Sequence, residues 1–376
     1  MKEIGVGIIG FGFMGRTHTY AYKTMPFFYE GLPYRVRLVG VCNRTLEKAQ
    51  RAKEDFGFEF ATDDPNDLFA DDRIQVINVC TPNNVHRENV IAALKAGKHV
   101  YCDKPLSANM EEAKDILDVL SSQKSITQMA FQNRFFPATM RAKELIGEGF
   151  LGNTLSFRAS YLHSGSVDPE KPIGWKLDKS MGGGVLADLG SHLLDIIYYL
   201  LGNYGAIFAH NKVLYPSRPH PSGEVVDIGA EDLSILIVQM KNGGAGIIES
   251  SKIATGTNDE LRFEIHGDKG AMRFNLMDPN WLEVYDNTLP EGDLGGDRGF
   301  KKIECVQRYK SPGGKFVPSK ASIGWVRSHV HSLYNFLDNV YSNRQSIPSI
   351  EDGAYIQYVM DRAQESNRTN RWIYLD

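Results

Sequence analysis

The sequence predicts an α/β protein: an N-terminal doubly wound parallel sheet, followed by an α+β domain built on a large, mostly antiparallel open sheet. Three observations lead there. The chain has 376 residues, more than the roughly 100 to 200 of an ordinary domain, so two cores are expected. From Ile4 to Phe131 short Val/Ile-rich runs alternate with longer amphipathic stretches, the rhythm of βαβ units covered on both faces. After a helical stretch at Ala138 to Gly147, strand-like segments follow one another without intervening helices, which implies antiparallel pairing. The division is placed between residues 1–131 and 132–376.

In the first part the candidate strands are Val6 to Ile9, Arg37 to Cys42, Ile74 to Cys80, His99 to Cys102 and Ile126 to Phe131. Helices are expected at Thr45 to Asp55, Asn84 to Ala96 and Met110 to Ser122, with Gly57 and Gly97 as C-terminal stops. In the second part a strong helix, Leu186 to Leu201, precedes strands at Leu233 to Met240, Ala245 to Ser250, Leu261 to His266, Ala271 to Phe274 and Trp281 to Tyr285. The Gly/Pro-rich stretches Tyr215 to Gly223 and Pro290 to Gly299 read as loops, and helices at Val326 to Val340 and Asp352 to Ser366 close the chain.

Composition narrows the function classes. With 42% hydrophobic and 23% charged residues the chain reads as globular. Forty-two basic against 46 acidic side chains give a net charge of -4, without a basic run that would mark a nucleic-acid partner. The apolar run Val6 to Ile9 is too short for a signal peptide or membrane span. Cys42, Cys80, Cys102 and Cys305 include no C-x-x-C pair. This favours reduced core thiols in a cytoplasmic protein over zinc ligation, a disulfide framework or a catalytic thiol, and no metal is expected.

Gly10-Phe11-Gly12-Phe13-Met14-Gly15 stands directly after the first strand and before a helical stretch. In G-x-G-x-x-G the first glycine makes the tight turn, the second admits a pyrophosphate to the backbone, and the third lets helix pack on strand. The motif is weak alone; its strand-loop-helix context makes it a dinucleotide fingerprint in a Rossmann unit. At the end of the second strand an acidic residue usually meets the ribose 2′-hydroxyl, but here the residues are Asn43-Arg44. Asn43 would not repel a 2′-phosphate and Arg44 could bind one, or Arg44 is simply solvated, so NAD and NADP both remain open.

Cys102-Asp103-Lys104-Pro105-Leu106 follows a strand at the carboxyl edge of the sheet, where ligands of open α/β folds bind. A desolvated Lys104 there could exchange a proton with a substrate hydroxyl, although a surface lysine at a strand exit is the plainer reading. On the helix from Leu186, Asp188, His192 and Asp195 fall at i, i+4 and i+7 and share one face, after Gly182-Gly183-Gly184. A solvated face, an Asp/His metal pair and acid/base chemistry at His192 all fit that stripe.

Taken together these pieces resemble the Gfo/Idh/MocA family. The likeness runs through Gly10 to Gly15, Thr81-Pro82-Asn83-Asn84-Val85-His86, Ala96-Gly97-Lys98-His99-Val100, Asp103-Lys104-Pro105, Asn133-Arg134 with Pro137, Gly182-Gly183-Gly184 to Asp188-x-x-x-His192, and Asp352-Gly353. It spans nearly the whole chain. The resemblance implies that Lys104 and His192 are the acid/base pair at the hydroxyl being oxidised and that Asp188 positions substrate or tunes the histidine. It places Thr81, Pro82, Asn83 and His86 along the cofactor beside Gly10, Gly12, Phe13, Met14, Gly15, Asn43 and Arg44. Asp103 stands where the family usually has Glu, a shorter carboxylate beside the cofactor. The segment Gly10 to His18 and the insert Pro26 to Tyr29 look most like sugar and anhydrosugar dehydrogenases.

Arg134, Tyr161, His163, Trp175 and His329 are candidates to contact sugar hydroxyls, since sugar sites combine aromatic faces with polar hydrogen bonders. The expected function is NAD- or NADP-dependent oxidoreduction of a sugar, anhydrosugar or polyol, with a homodimer or homotetramer implied by the resemblance. The alternatives are a non-catalytic dinucleotide sensor and a glycosidase or lyase that retains NAD. Lys104, Asp188 and His192 together speak against the sensor.

Overall fold

The computed structural model describes residues 1–376. The chain divides into two compact units. One comprises Met1–Gln132, Tyr309–Pro318 and Gly324–Gln357; the other comprises Asn133–Arg308, Ser319–Ile323 and Tyr358–Asp376. A single cut near residue 131 therefore does not describe the C-terminal end of the chain, part of which returns to the N-terminal unit.

The N-terminal unit holds a six-stranded sheet whose paired strands all run parallel. Its strands are β1 (Lys2–Ile9), β2 (Tyr34–Cys42), β3 (Phe60–Thr62), β4 (Val76–Val79), β5 (His99–Cys102) and β6 (Thr127–Met129), in the order β3-β2-β1-β4-β5-β6. This is doubly wound: the order reverses between β1 and β4, so the strand ends there open a crevice. Helices α1 (Phe13–Phe28), α2 (Leu46–Phe56), α3 (Asn66–Ala70), α4 (His86–Lys95) and α5 (Met110–Leu120) make the connections. Gly57 and Gly97 end α2 and α4 with φ of +72° and +70°, a conformation that costs glycine nothing. Asn109 caps α5 by accepting the Glu112 N–H at 3.0 Å. β3 and α3 were not expected; three and five residues are too short to show a period.

The C-terminal unit begins with α6 (Pro137–Gly147) and β7 (Thr154–Leu162). A π-helical turn, Leu186–Gly190, then leads into α7 (Ser191–Leu201). β8 (Tyr204–Lys212) follows, then a small hairpin of β9 (Ser217–Pro219), inside the stretch expected to be loop, and β10 (Val225–Asp227), just beyond it. β11 (Leu233–Met240), β12 (Ala245–Ser251), β13 (Glu260–Gly267), β14 (Gly270–Asn275), β15 (Trp281–Asp286) and β16 (Lys301–Glu304) complete the large sheet together with the terminal β17 (Ile373–Tyr374). Its order is β16-β15-β14-β13-β7-β12-β11-β8-β17, and β7 with β12 is a parallel pair among antiparallel ones.

Helices α8 (Val326–Ser342) and α9 (Ile350–Thr369) come last. α8 belongs to the N-terminal unit and packs on α1: Val330, Leu333, Phe336, Leu337 and Val340 share one buried cluster with Tyr22, Met25 and Tyr29. Within it Arg327 donates to the Tyr29 hydroxyl (2.8 Å) and the Gly313 carbonyl (2.8 Å), its guanidinium lying over the rings of Phe28, Tyr29 and Tyr309. By length and composition Lys179 to Leu201 could cross a membrane, but 78% of its apolar window is buried inside the protein, as a core helix is.

Candidate active site

Each glycine of the N-terminal loop has a different neighbourhood. Gly10 turns with φ +89°, and a Cβ there would lie 2.6 Å from the Cys80 carbonyl oxygen; one on Gly15 would overlap the Gly10 carbonyl oxygen. A Cβ on Gly12 would meet nothing within 4 Å. The outer glycines are thus required by the protein's own backbone, while the middle one faces open space. No side chain caps α1 and no acidic residue stands in its first turn, so its leading N–H groups remain available to an anion. Thr81 Oγ1, just past β4, is buried without a hydrogen-bond partner. These features fit a dinucleotide diphosphate.

Around that loop Phe13 is largely exposed, with its ring 5.7 Å from Trp325. Asn43 donates its N–H to the Thr62 carbonyl (3.2 Å), and its Oδ1 accepts the Arg44 N–H (2.9 Å), with Arg44 exposed. Asn83 lies in a 3₁₀ turn after Pro82, and Asp103 Oδ1 accepts the Lys104 N–H at 2.9 Å. His86 departs from expectation. It is fully buried, and its two ring nitrogens meet the Thr81 and Pro105 carbonyls at 2.8 and 2.9 Å. It pins the Thr81 turn to the Asp103 loop from behind instead of presenting its ring to a ligand. Burial pushes its imidazole below the ordinary pKa, against the pull of Asp103 and those carbonyls.

In the C-terminal unit the triple glycine is filled from within. A Cβ on Gly183 would lie 2.7 Å from the Lys176 and Asp178 carbonyls, and one on Gly184 2.5 Å from the Glu231 carboxylate. Glu231 accepts the Leu186 N–H at 3.0 Å, and burial raises its pKa. The unbroken helix expected from Leu186 opens instead as the π-turn, which carries Asp188 and delivers His192 in the first turn of α7. Such turns recur at functional sites because they re-aim side chains.

The expected polar stripe therefore splits into two kinds of environment. Asp188 accepts from Lys176 Nζ (2.9 Å) and forms an ion pair with Lys252 Nζ (3.1 Å). His192 is 6% exposed, its ring 5.8 Å from that of Tyr161. Asp195 is 1% exposed and holds Arg134 through contacts of 2.6 to 3.1 Å.

Several expected hydroxyl contacts have other work. Arg134 is buried, with its guanidinium committed to Asp195 and flanked by the Tyr198 and Tyr199 rings, so it ties α7 to the chain before α6. The Tyr161 hydroxyl donates to Asp259 at 2.6 Å, and burial raises its pKa well above the phenol range. His163 Nδ1 accepts the Gly165 N–H (2.8 Å), closing its own turn. Trp175 is partly exposed, at the head of a 3₁₀ turn. His329 belongs to the N-terminal unit, not to the unit that holds the other four. It is fully buried against Trp325 and His18, with centroids 4.2 and 5.8 Å away.

Sequence reasoning missed Lys176, Lys252, Glu231 and Asp259. Only Lys252 left a trace, as a cation directly after the buried strand end Ser250-Ser251.

Comparison with known proteins agrees with this geometry. Residues 4–131 match the model of the Gfo/Idh/MocA oxidoreductase family, NAD-binding Rossmann fold, and residues 143–375 match that family's C-terminal alpha/beta domain. A levoglucosan dehydrogenase from Pseudarthrobacter phenanthrenivorans is 32% identical over 99% of this chain and 98% of its own. A myo-inositol 2-dehydrogenase from Thermotoga maritima is 27% identical over 99% of this chain and 98% of its own. Among solved structures, levoglucosan dehydrogenase in complex with NADH superimposes with a TM-score of 0.95 at 32% identity, covering 100% of both chains. Its complex with NADH and levoglucosan gives 0.94, again covering 100% of both chains.

Proposed function

This chain belongs to the Gfo/Idh/MocA oxidoreductase family, and from that premise we propose that it oxidises a ring hydroxyl of a sugar or anhydrosugar, with a levoglucosan-like pyranose as first candidate. It is an NAD-dependent dehydrogenase acting on CH–OH. The observation that carries the finer reading is the likeness to levoglucosan dehydrogenase over the full length of both chains.

The N–H groups of Gly12, Phe13 and Met14 would hold the diphosphate, supported by the turns at Gly10 and Gly15. Thr81, Pro82 and Asn83 would line the cofactor, Asn43 would face the ribose, and Asp103 would stand beside Lys104. Bound NAD⁺ supplies the acceptor for the hydrogen that leaves carbon. In this reading Lys104 and His192 hold and move the proton at the hydroxyl oxygen, and Asp188 orients the substrate hydroxyl or the imidazole. Trp175 offers an aromatic face for a sugar ring. Arg44, exposed beside a neutral Asn43, is solvated in the NAD-bound enzyme.

The same reading extends to setting. Four free cysteines are what a reducing cytoplasm would leave. Exposed Leu155, Ile237 and Ile247 on the large sheet, with Ile237 and Ile247 direct cross-strand partners, suit a homodimer or homotetramer. To test the activity, the purified protein is mixed with NAD⁺ and, in turn, levoglucosan, myo-inositol and methyl glucoside while nicotinamide reduction is followed by absorbance. Turnover is expected with levoglucosan. Cofactor binding without reduction by any of the three overturns the sugar assignment.

A further inference from the structure

Asp188 is held from two sides by cations of unequal kind. Lys176 Nζ reaches both oxygens, Oδ1 at 2.9 Å and Oδ2 at 3.1 Å, with its side chain 53% exposed; Lys252 Nζ lies 3.1 Å from Oδ2 with its side chain 8% exposed. An exposed ammonium is screened by water and salt and gives up side-chain freedom to hold one geometry, so it fixes a carboxylate weakly. A desolvated one acts through a medium of lower effective dielectric, where the same separation counts for more.

Lys252 is also fixed at its backbone. Its N–H donates to the Asp232 carbonyl (3.0 Å), and its own carbonyl accepts the Ser166 N–H (2.9 Å). It directly follows β12, whose Ser250 pairs with Tyr161 of β7. The ammonium is thus presented to Asp188 from a rigid sheet end, whereas Asp188 sits on a π-turn whose side-chain directions a plain helix would not produce.

We propose that Lys252 is a positioning residue of the dehydrogenase reaction, a buried ammonium that fixes the direction of the Asp188 carboxylate and keeps it charged beside His192. The inference rests on the reading of Asp188 given above. A neutral Asp188 would offer a donor where that reading requires an acceptor, and a carboxylate held by Lys176 alone would share that ammonium's mobility. The other charged or titratable groups around it are His192 on α7, Tyr161 with Asp259, and Glu231 opposite Gly184, on which Lys179 and Lys252 both act. Asp232 turns its carboxylate to the Leu214 and Tyr215 N–H groups, and Arg158 and Glu249 fall on the opposite face of the sheet.

The test uses the full chain, Lys252→Met, Lys252→Arg and Asp188→Asn. One readout is kcat/KM for levoglucosan with NAD⁺ as a function of pH. The other is the carboxyl ¹³C titration of aspartate-labelled protein, the Asp188 signal being the one lost in Asp188→Asn. Removing a contacting opposite charge raises a carboxyl pKa by about one unit or more, so in Lys252→Met the Asp188 midpoint and the acid limb should both move up by at least about one unit. NAD⁺ affinity should be unchanged, and Lys252→Arg should restore most of the shift. If Lys252→Met fails to fold, Lys252→Gln, which keeps length and polarity, is read the same way. An unmoved midpoint beside an inactive Asp188→Asn overturns the Lys252 inference alone. Full activity in Asp188→Asn overturns the reading of Asp188, and the catalytic purpose of Lys252 with it.

Discussion

The two glycine clusters look alike in sequence and differ in what they face. In Gly10-Phe11-Gly12-Phe13-Met14-Gly15 the outer glycines are closed in by backbone and the middle one is open; in Gly182-Gly183-Gly184 the last two press on the protein's own carbonyls and on Glu231. The first cluster is a cradle with one side left open for a visitor. The second is a packing joint, and what it delivers is the π-turn that aims Asp188. Glycine content alone therefore does not mark a ligand site; what a Cβ would strike does.

The contrast is broken most severely by Gly15→Val, whose side chain would collide with the Gly10 carbonyl. This variant is expected to lose the fold of the N-terminal unit, seen as loss of soluble protein and of the cooperative melt. Gly12→Val should instead melt like wild type and lose cofactor binding in calorimetric titration. Identical behaviour of the two variants would erase the distinction between cradle and joint.

Next in size, Lys104→Ala and His192→Ala should each lower turnover by ~10²- to 10⁴-fold while NAD⁺ still binds, as is usual when a positioned acid/base group is removed. Near-normal kcat in either, with hydrogen transfer shown to be rate-limiting, removes that residue from the proton path. Arg134→Ala should cost about 3–5 kcal/mol of stability, because Asp195 is left charged and buried, and denaturant unfolding measures it. A hydroxyl-binding Arg134 would show up instead as a raised KM at normal stability.

The smallest effect belongs to the joint. Glu231 has its pKa raised by burial, so above the unfolded value of 4.5 the unfolded chain releases a proton that the native state retains, and stability falls as pH rises. Glu231→Gln, which can still accept the Leu186 N–H, should remove that decline. Its advantage in melting temperature over wild type should be absent at pH 4 and grow towards pH 8; the same difference at both ends would mean that Glu231 does not titrate through this range.

Much of this was legible from residues alone, for identifiable reasons. β5 is a short apolar run and α2 is bounded by Gly57, so periodicity and stop signals found both. The cradle was legible because each of its glycines has a local steric task. β7 and β8 passed unnoticed because their burial alternates only in part and polar residues such as Arg158 and Asn211 interrupt them. The π-turn shares its composition with an ordinary helix start. The pairings made by Asp188 and Asp195 could not be read from spacing: Lys252 and Arg134 meet them only through tertiary folding, the latter across 61 positions.

The return of α8 to the N-terminal unit sets the order in which this protein can be made. Tyr29, just after α1, bonds His331 on α8 across 302 positions, and Met25 and Tyr22 of α1 are buried in the same cluster. At ribosomal rates of roughly 5–20 residues per second, that apolar side of the first domain waits about 15–60 s after its own synthesis for the helix that covers it. A growing chain must keep this face from other chains for the whole of that interval, which is when a holding chaperone would have most to do. A message cut short before residue 326 would then yield a nucleotide-binding domain with its sheet complete and one wall missing.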